Sequence, residues 1–161
     1  KSILKMDFNI LKDNIIPMED FTLNWRFTDE NYDILPQIHL DQLNPLDEEG
    51  AEKIDNFIND NNLHDDFPFK NDFFKKNNEI DIEEGKEKKI ERWFGTLNLS
   101  LEDDVYLSWD PETALKTKLK YVVKYWKSLY YRDSDDLTVF SENLNWSLLF
   151  FHEGKIYFGS K

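Results

Sequence analysis

The chain contains no cysteine. Disulfides and thiolate-bound zinc are therefore excluded, and nothing indicates an oxidising compartment. Glycine and proline are scarce, five of each in 161 residues. That is too few glycines, too scattered, for a phosphate-cradling loop, and no Pro/Gly/Ser-rich linker divides the sequence. No apolar run approaches the roughly 18 residues of a membrane-spanning helix. The opening Lys1-Ser2-Ile3-Leu4-Lys5-Met6 is too short and too interrupted by charge to be a secretory signal. A start on Lys1 suggests a trimmed or engineered beginning, with Met6 as a candidate native start. These absences predict one soluble, cytoplasmic domain spanning residues 1–161.

Reactive chemistry is equally sparse. The three histidines, His39, His64 and His152, lack the i, i+4 spacing of a helical zinc site. His64-Asp65-Asp66 is the one His–acid cluster and reads better as a solvated loop than as a metal site. Asp60 to Asp66 is rich in oxygen but lacks the central Gly and terminal Glu of a calcium loop. There is no G-x-S-x-G nucleophile elbow. Ser108 reads as part of a helix start, and His152, before the Glu153-Gly154 turn, as a surface residue with a local hydrogen bond. Carboxylate pairs such as Asp103-Asp104 are too common in an acidic chain to mark acid–base catalysis. The expectation is a protein that is not an enzyme, with no cofactor and no metal.

Rings and negative charge are plentiful. Aromatic residues make up 16% of the chain and apolar residues 40%, enough for a core built largely from rings. The net charge is −13, which disfavours nucleic acid and anionic membranes as partners and favours a basic protein. Residues 1–85 hold 21 Asp and Glu against 8 Lys and Arg, the whole net charge, whereas residues 86–161 hold 12 of each. A purely solubilising surface would be mixed throughout, so the asymmetry points to an acidic recognition surface.

Periodicity predicts an α+β fold, a mixed and mainly antiparallel sheet with about three helices packed on it. Phe21, Leu23, Trp25 and Phe27 alternate as in a half-buried strand. Asn44-Pro45 resembles an N-cap followed by a first-turn proline, opening a helix with Leu46, Ile54, Phe57 and Ile58 on its buried face and ending near Asn61-Asn62. Residues 63–84 are the least legible, either a loop pinned by its rings or a docking segment. Ile90, Trp93, Phe94 and Leu97 mark a second helix. Val105 to Trp109 reads as a strand. Asp110-Pro111 then resembles the start of the longest helix, running to about Tyr131 with an apolar stripe at Leu115, Leu119, Val122, Trp126 and Leu129. Lys116, Lys120, Lys124 and Lys127 form a second stripe, either a solvated face or a docking face. Three strands close the chain, at 137–140, 146–151 and 155–158, the last two joined by a tight turn at Glu153-Gly154.

The C-terminal part carries a resemblance. Val105-Tyr106-Leu107-Ser108-Trp109-Asp110, Thr113-Ala114-Leu115-Lys116 with Tyr125-Trp126, Asp135-Asp136, and Trp146 to Glu153 through Phe158-Gly159 resemble small bacterial proteins of a kind that often looks like the immunity proteins of contact-dependent growth-inhibition and other polymorphic toxin systems. The resemblance implies a cytoplasmic inhibitor of a cognate toxin domain, often a nuclease. It supplies no catalytic residues. Nuclease toxins are basic around their active sites, and an acidic inhibitor gains steering toward them. The expected partner-binding residues are Asp47, Glu48, Glu49, Glu52 and Asp55 on the first helix, then Asp65, Asp66, Asp81, Glu83 and Glu84, with Phe67 and Phe69 as exposed ring anchors. A non-catalytic regulatory or scaffolding domain shares the charge argument. An enzyme would need convergent polar groups in a pocket.

Overall fold

Alternating apolar residues in the second half of the chain build a sheet that carries everything else. A computed structural model describes residues 2–161; Lys1, the suggested trimmed start, lies outside them. The strands are β1 (Asn44–Pro45), β2 (Lys76–Asp81), β3 (Asp104–Asp110), β4 (Thr113–Lys118), β5 (Leu137–Ser141), β6 (Trp146–Phe151) and β7 (Lys155–Ser160). They form one seven-stranded sheet in the order β1-β4-β3-β5-β6-β7-β2. Every pairing is antiparallel, so the expected mixed sheet has no parallel pair. The helices are α1 (Trp25–Thr28), α2 (Gln37–Leu40), α3 (Glu48–Asp60), α4 (Glu87–Thr96) and α5 (Leu119–Leu129). The architecture is α+β, and among the described residues no helix is long and apolar enough to cross a membrane.

Side chains alternate across each strand, so the central strands feed two cores. Val105, Leu107, Leu115, Val139, Leu148 and Phe150 pack with Ile90 and Phe94 of α4 and Val122 and Trp126 of α5. Tyr106, Ala114, Phe140 and Leu149 face the other way, into a cluster with Phe8 and the α3 residues Ile54, Phe57 and Ile58. Phe57 stacks on Phe140 at 5.5 Å and Phe8 tilts over Tyr106 at 4.5 Å. Each fully buried ring or branched side chain contributes about 1.5–3 kcal/mol. Gly159 of β7 matters to this second core, because a Cβ there would lie 2.2 Å from the Phe74 ring. Its bare backbone lets Phe74 sit flat on the sheet and anchor the 63–74 segment.

Three elements differ from the sequence reading. Phe21 to Phe27 is not a strand: residues 25–28 form one helical turn, and the rings serve separate neighbours, Phe21 against Trp109 and Trp25 against Tyr32 and Tyr131. Asn44-Pro45 pairs with β4 as a strand, and the helix cap is Asp47, whose carboxylate accepts the Gly50 N–H at 2.8 Å. Asp110-Pro111 is the β3–β4 turn and not a helix start. Asp110 Oδ1 accepts the Glu112 N–H at 2.8 Å, Leu115 lies in β4, and α5 begins only at Leu119.

The lysine stripe divides accordingly. Lys116 and Lys118 of β4 lie beside Asp104, Lys120 pairs with Glu102, and Lys127 pairs with Glu87. Among the described residues one ion pair is buried. Arg26 grips Asp135 through two nitrogens at 2.6 and 3.1 Å, donates to the Leu129 carbonyl at 3.2 Å and stacks over Tyr131 at 4.1 Å.

Candidate functional site

The α3 side of the sheet carries a cleft of about 280 Å³ where β3 ends and β5 begins, lined by Asp55, His64, Asp66, Phe67, Ser108, Asp110, Asp136, Thr138 and Phe151 among others. Ser108 and Thr138 are cross-strand neighbours on its floor. The β3–β4 register shifts between Ser108 and Asp110; such a bulge re-aims side chains near a strand end. Asp55 comes from α3, and Asp66 and Phe67 from the segment that Phe69 and Phe74 pin to the second core.

His64 is held from both sides. Its Nδ1 lies 2.7 Å from the Pro68 carbonyl and its Nε2 2.9 Å from the Thr138 hydroxyl. A carbonyl can only accept, so Nδ1 carries a hydrogen, and in the neutral ring Nε2 accepts from Thr138. Loss of solvation lowers the pKa of His64 below its ordinary value, opposed by the Pro68 hydrogen bond and by the charge of Asp136.

The carboxylates carry uncompensated charge. Asp55 has its pKa raised, first by desolvation and then by repulsion from Asp110 and Glu52, with an Asn59 hydrogen bond opposing. Among the described residues, Asp55, Asp66 and Asp110 pair with no Lys or Arg of this chain, whereas Asp136 holds His152 Nδ1 at 2.9 Å. Each of the three is steadied on one oxygen: Asp55 Oδ2 by Asn59, Asp66 Oδ2 by the Asn71 N–H, and Asp110 Oδ1 by the Glu112 N–H. The second oxygen of each remains available. Phe67, 58% exposed, leans on Phe151 and Tyr157 at 4.7 and 5.1 Å, which fixes an apolar wall beside the acids.

The residues expected from sequence to bind a partner divide into three groups. Asp55, Asp66 and Phe67 meet in the cleft, with Asp65 exposed beside them. Glu48, Glu52 and Glu84 are exposed elsewhere. The others have partners inside the chain. Asp47 is the α3 cap and also accepts from Asn14 at 3.1 Å, Glu49 pairs with Lys53, Asp81 with Lys155, and Glu83 with Lys86 and Lys89. Phe69 is not an exposed anchor. It is 5% exposed, stacked on His64 and edge-on to Phe74; the bend that exposes Phe67 turns Phe69 into the second core.

Sequence reasoning missed Ser108, Asp110, Asp136, Thr138 and Phe151. They are brought together by strand pairing across about 30 residues, and no local pattern carries that signal. His152 is exposed beside its turn, but its partner is not local: its N–H and ring bond to Asp136, 16 residues earlier. The acidic residues of the first half do not share one face. Those around α1 and α2 lie on the α5 side of the sheet, with Phe21, Phe27 and Leu35 in the first core. The cleft, rather than a uniform surface, gathers carboxylates without cations.

Residues 15–159 match the model of a family described as a protein of unknown function, DUF2947, and the chain belongs to that family. No curated protein and no solved structure matches it.

Proposed function

We propose that this chain is a cytoplasmic binding domain that captures a basic protein surface at the acidic cleft and its α3 rim, acting as the immunity protein of a toxin domain. The observation that carries the reading is the set Asp55, Asp66 and Asp110, three carboxylates lining one cleft beside fixed aromatic rings with no Lys or Arg of the described residues paired to them. The charges of Asp110 and Glu52 make ionised Asp55 less favourable, and a cation from outside relieves that cost. The field also steers a basic partner and repels polyanions. A toxin that cleaves nucleic acid must be basic where it binds substrate, so an acidic inhibitor can block that surface. The resemblance of the C-terminal segments to immunity proteins favours this class over a regulatory domain with another basic partner.

The test is co-expression with each candidate toxin domain found encoded beside this chain, and capture of such a domain at low and moderate salt. The expected result is restored growth and a complex that weakens with salt, with both lost in an Asp55→Asn/Asp110→Asn double variant. Failure of the wild-type chain to protect or bind would move the reading to a regulatory domain. Binding that survives the double variant unchanged would place the interface away from the cleft.

A further inference from the structure

We propose that the cleft is a pocket for one guanidinium group, an arginine side chain presented by the partner. This rests on the reading that the acidic cleft binds a basic protein, and adds which group enters and what receives it. The acidic cluster has an independent companion in Ser108. That residue is 5% exposed and lines the cleft, yet its hydroxyl has no hydrogen-bond partner among the described residues. Its cross-strand neighbour Thr138 has its hydroxyl committed to His64. Ser108 Oγ is not one of the sealed side-chain atoms that lack a partner, which among the described residues are Arg26 Nε and Trp93 Nε1, so this unpaired hydroxyl opens onto the floor of the charged cleft, where a ligand's donor can reach it.

The chemistry of that donor follows from the arrangement. The available oxygens are Asp55 Oδ1, Asp66 Oδ1 and Asp110 Oδ2, together with Ser108 Oγ. All of these can accept, and the carboxylates can only accept. An anion is repelled. No three His, Asp or Glu side chains among the described residues are grouped to hold a metal ion, so a compact ion does not satisfy them together. A guanidinium spreads five donors in a plane, loses hydration more readily than an ammonium, and lies against aromatic faces. The rings of Phe67 and Phe151 border the oxygens. The chain already binds one guanidinium of its own this way: Arg26 takes the Asp135 carboxylate, the Leu129 carbonyl and the Tyr131 ring. The cleft offers carboxylates and rings at the surface, with the Ser108 hydroxyl in place of the carbonyl.

The experiment is an NMR titration of the full, ¹⁵N-labelled chain with three capped amino acids: N-acetyl-arginine methylamide, its lysine counterpart and its uncharged isostere, the citrulline counterpart. The expected result is saturable shifts at Ser108, Asp110 and Thr138 with the arginine compound, at least fivefold weaker binding of lysine, and none of citrulline. Asp110→Asn and Ser108→Ala should each weaken the arginine response at least threefold, with signals remote from the cleft unmoved. Shifts confined to exposed residues of α3, or equal binding of arginine and lysine, would overturn the pocket. If the basic partner is still captured in that case, the wider reading stands without it. Saturable arginine binding in the cleft with no basic protein captured would sustain the pocket and overturn the partner reading.

Discussion

Asp135 and the cleft carboxylates are both held beside aromatic rings on this sheet, but only Asp135 meets an arginine of the same chain. It is buried, takes two nitrogens of Arg26 and also accepts the Tyr131 N–H at 2.8 Å and the Ser134 hydroxyl at 3.2 Å. Asp55, Asp66 and Asp110 are steadied by neutral donors and keep an available oxygen each. The first arrangement locks α1 to the segment after α5. The second gives the fold nothing comparable and leaves a local field. Removing a charge should therefore harm the first site and spare the fold at the second.

The largest effect is expected at the buried pair. Arg26→Met leaves Asp135 buried without its cation and should cost about 3–5 kcal/mol in urea unfolding. Replacing Asp135 by Asn in the same chain should recover a substantial part, because the stranded charge disappears. A loss within scatter for the single variant would remove the distinction drawn here. Next in size is Gly159→Ala. The new methyl would meet Phe74 and should cost about 1–3 kcal/mol through overpacking. Because Phe74 anchors the segment bearing Asp66 and Phe67, partner affinity should fall with stability, and an unchanged affinity would show that this wall is not needed.

At the cleft the two readouts should separate. Asp110→Asn should leave stability within about 0.5 kcal/mol while weakening the basic partner about tenfold, equivalent to about 1.4 kcal/mol. Acidity offers a further separation. The raised pKa of Asp55 means the folded chain holds that proton more tightly than the unfolded chain. Ionised Asp55 therefore costs stability at neutral pH, and the cost fades as pH falls through its folded pKa. Asp55→Asn should stabilise at pH 7, with the gain closing on acidification. His64 runs the other way. Its lowered pKa means that stability is lost as pH drops below about 6.5 and levels off below the folded value. His64→Gln should flatten that slope, and an unaltered slope would show that the cleft does not hold His64 neutral.

The sequence was most legible where one pattern had one cause. The buried faces of α3 and α4 and the three closing strands followed from periodicity, because each helix packs on one core and the strands alternate apolar residues between two. Legibility failed where the same residues suit two structures. Asp-Pro serves a helix start and a tight turn equally, and Thr113 to Lys118 alternates as a strand although Leu115 also fits a helical stripe with Leu119 and Val122. At the site, acidic character was readable but selection was not. Which aspartates have internal partners, as Asp47 and Asp81 do, depends on Asn14 and Lys155, which lie far off in sequence. Ser108 carried no signal until β5 was placed beside it.

The smallest effect is expected at the surface lysines, which bound the comparison from its other end. Lys120 holds Glu102 at 2.9 Å on an exposed surface, and its raised pKa comes first from that hydrogen bond. Water and salt screen such a pair, and two long side chains lose freedom to form it. Lys120→Gln should therefore leave the urea midpoint unshifted at moderate salt and leave partner affinity unchanged, although the net charge becomes more negative by one. If instead the added negative charge tightened the partner as strongly as Asp110→Asn loosens it, binding would be following net charge alone. The position of the cleft carboxylates would then carry no weight, and the contrast between a local site and a general field would collapse. An unchanged affinity keeps recognition with the few oxygens at the end of β3.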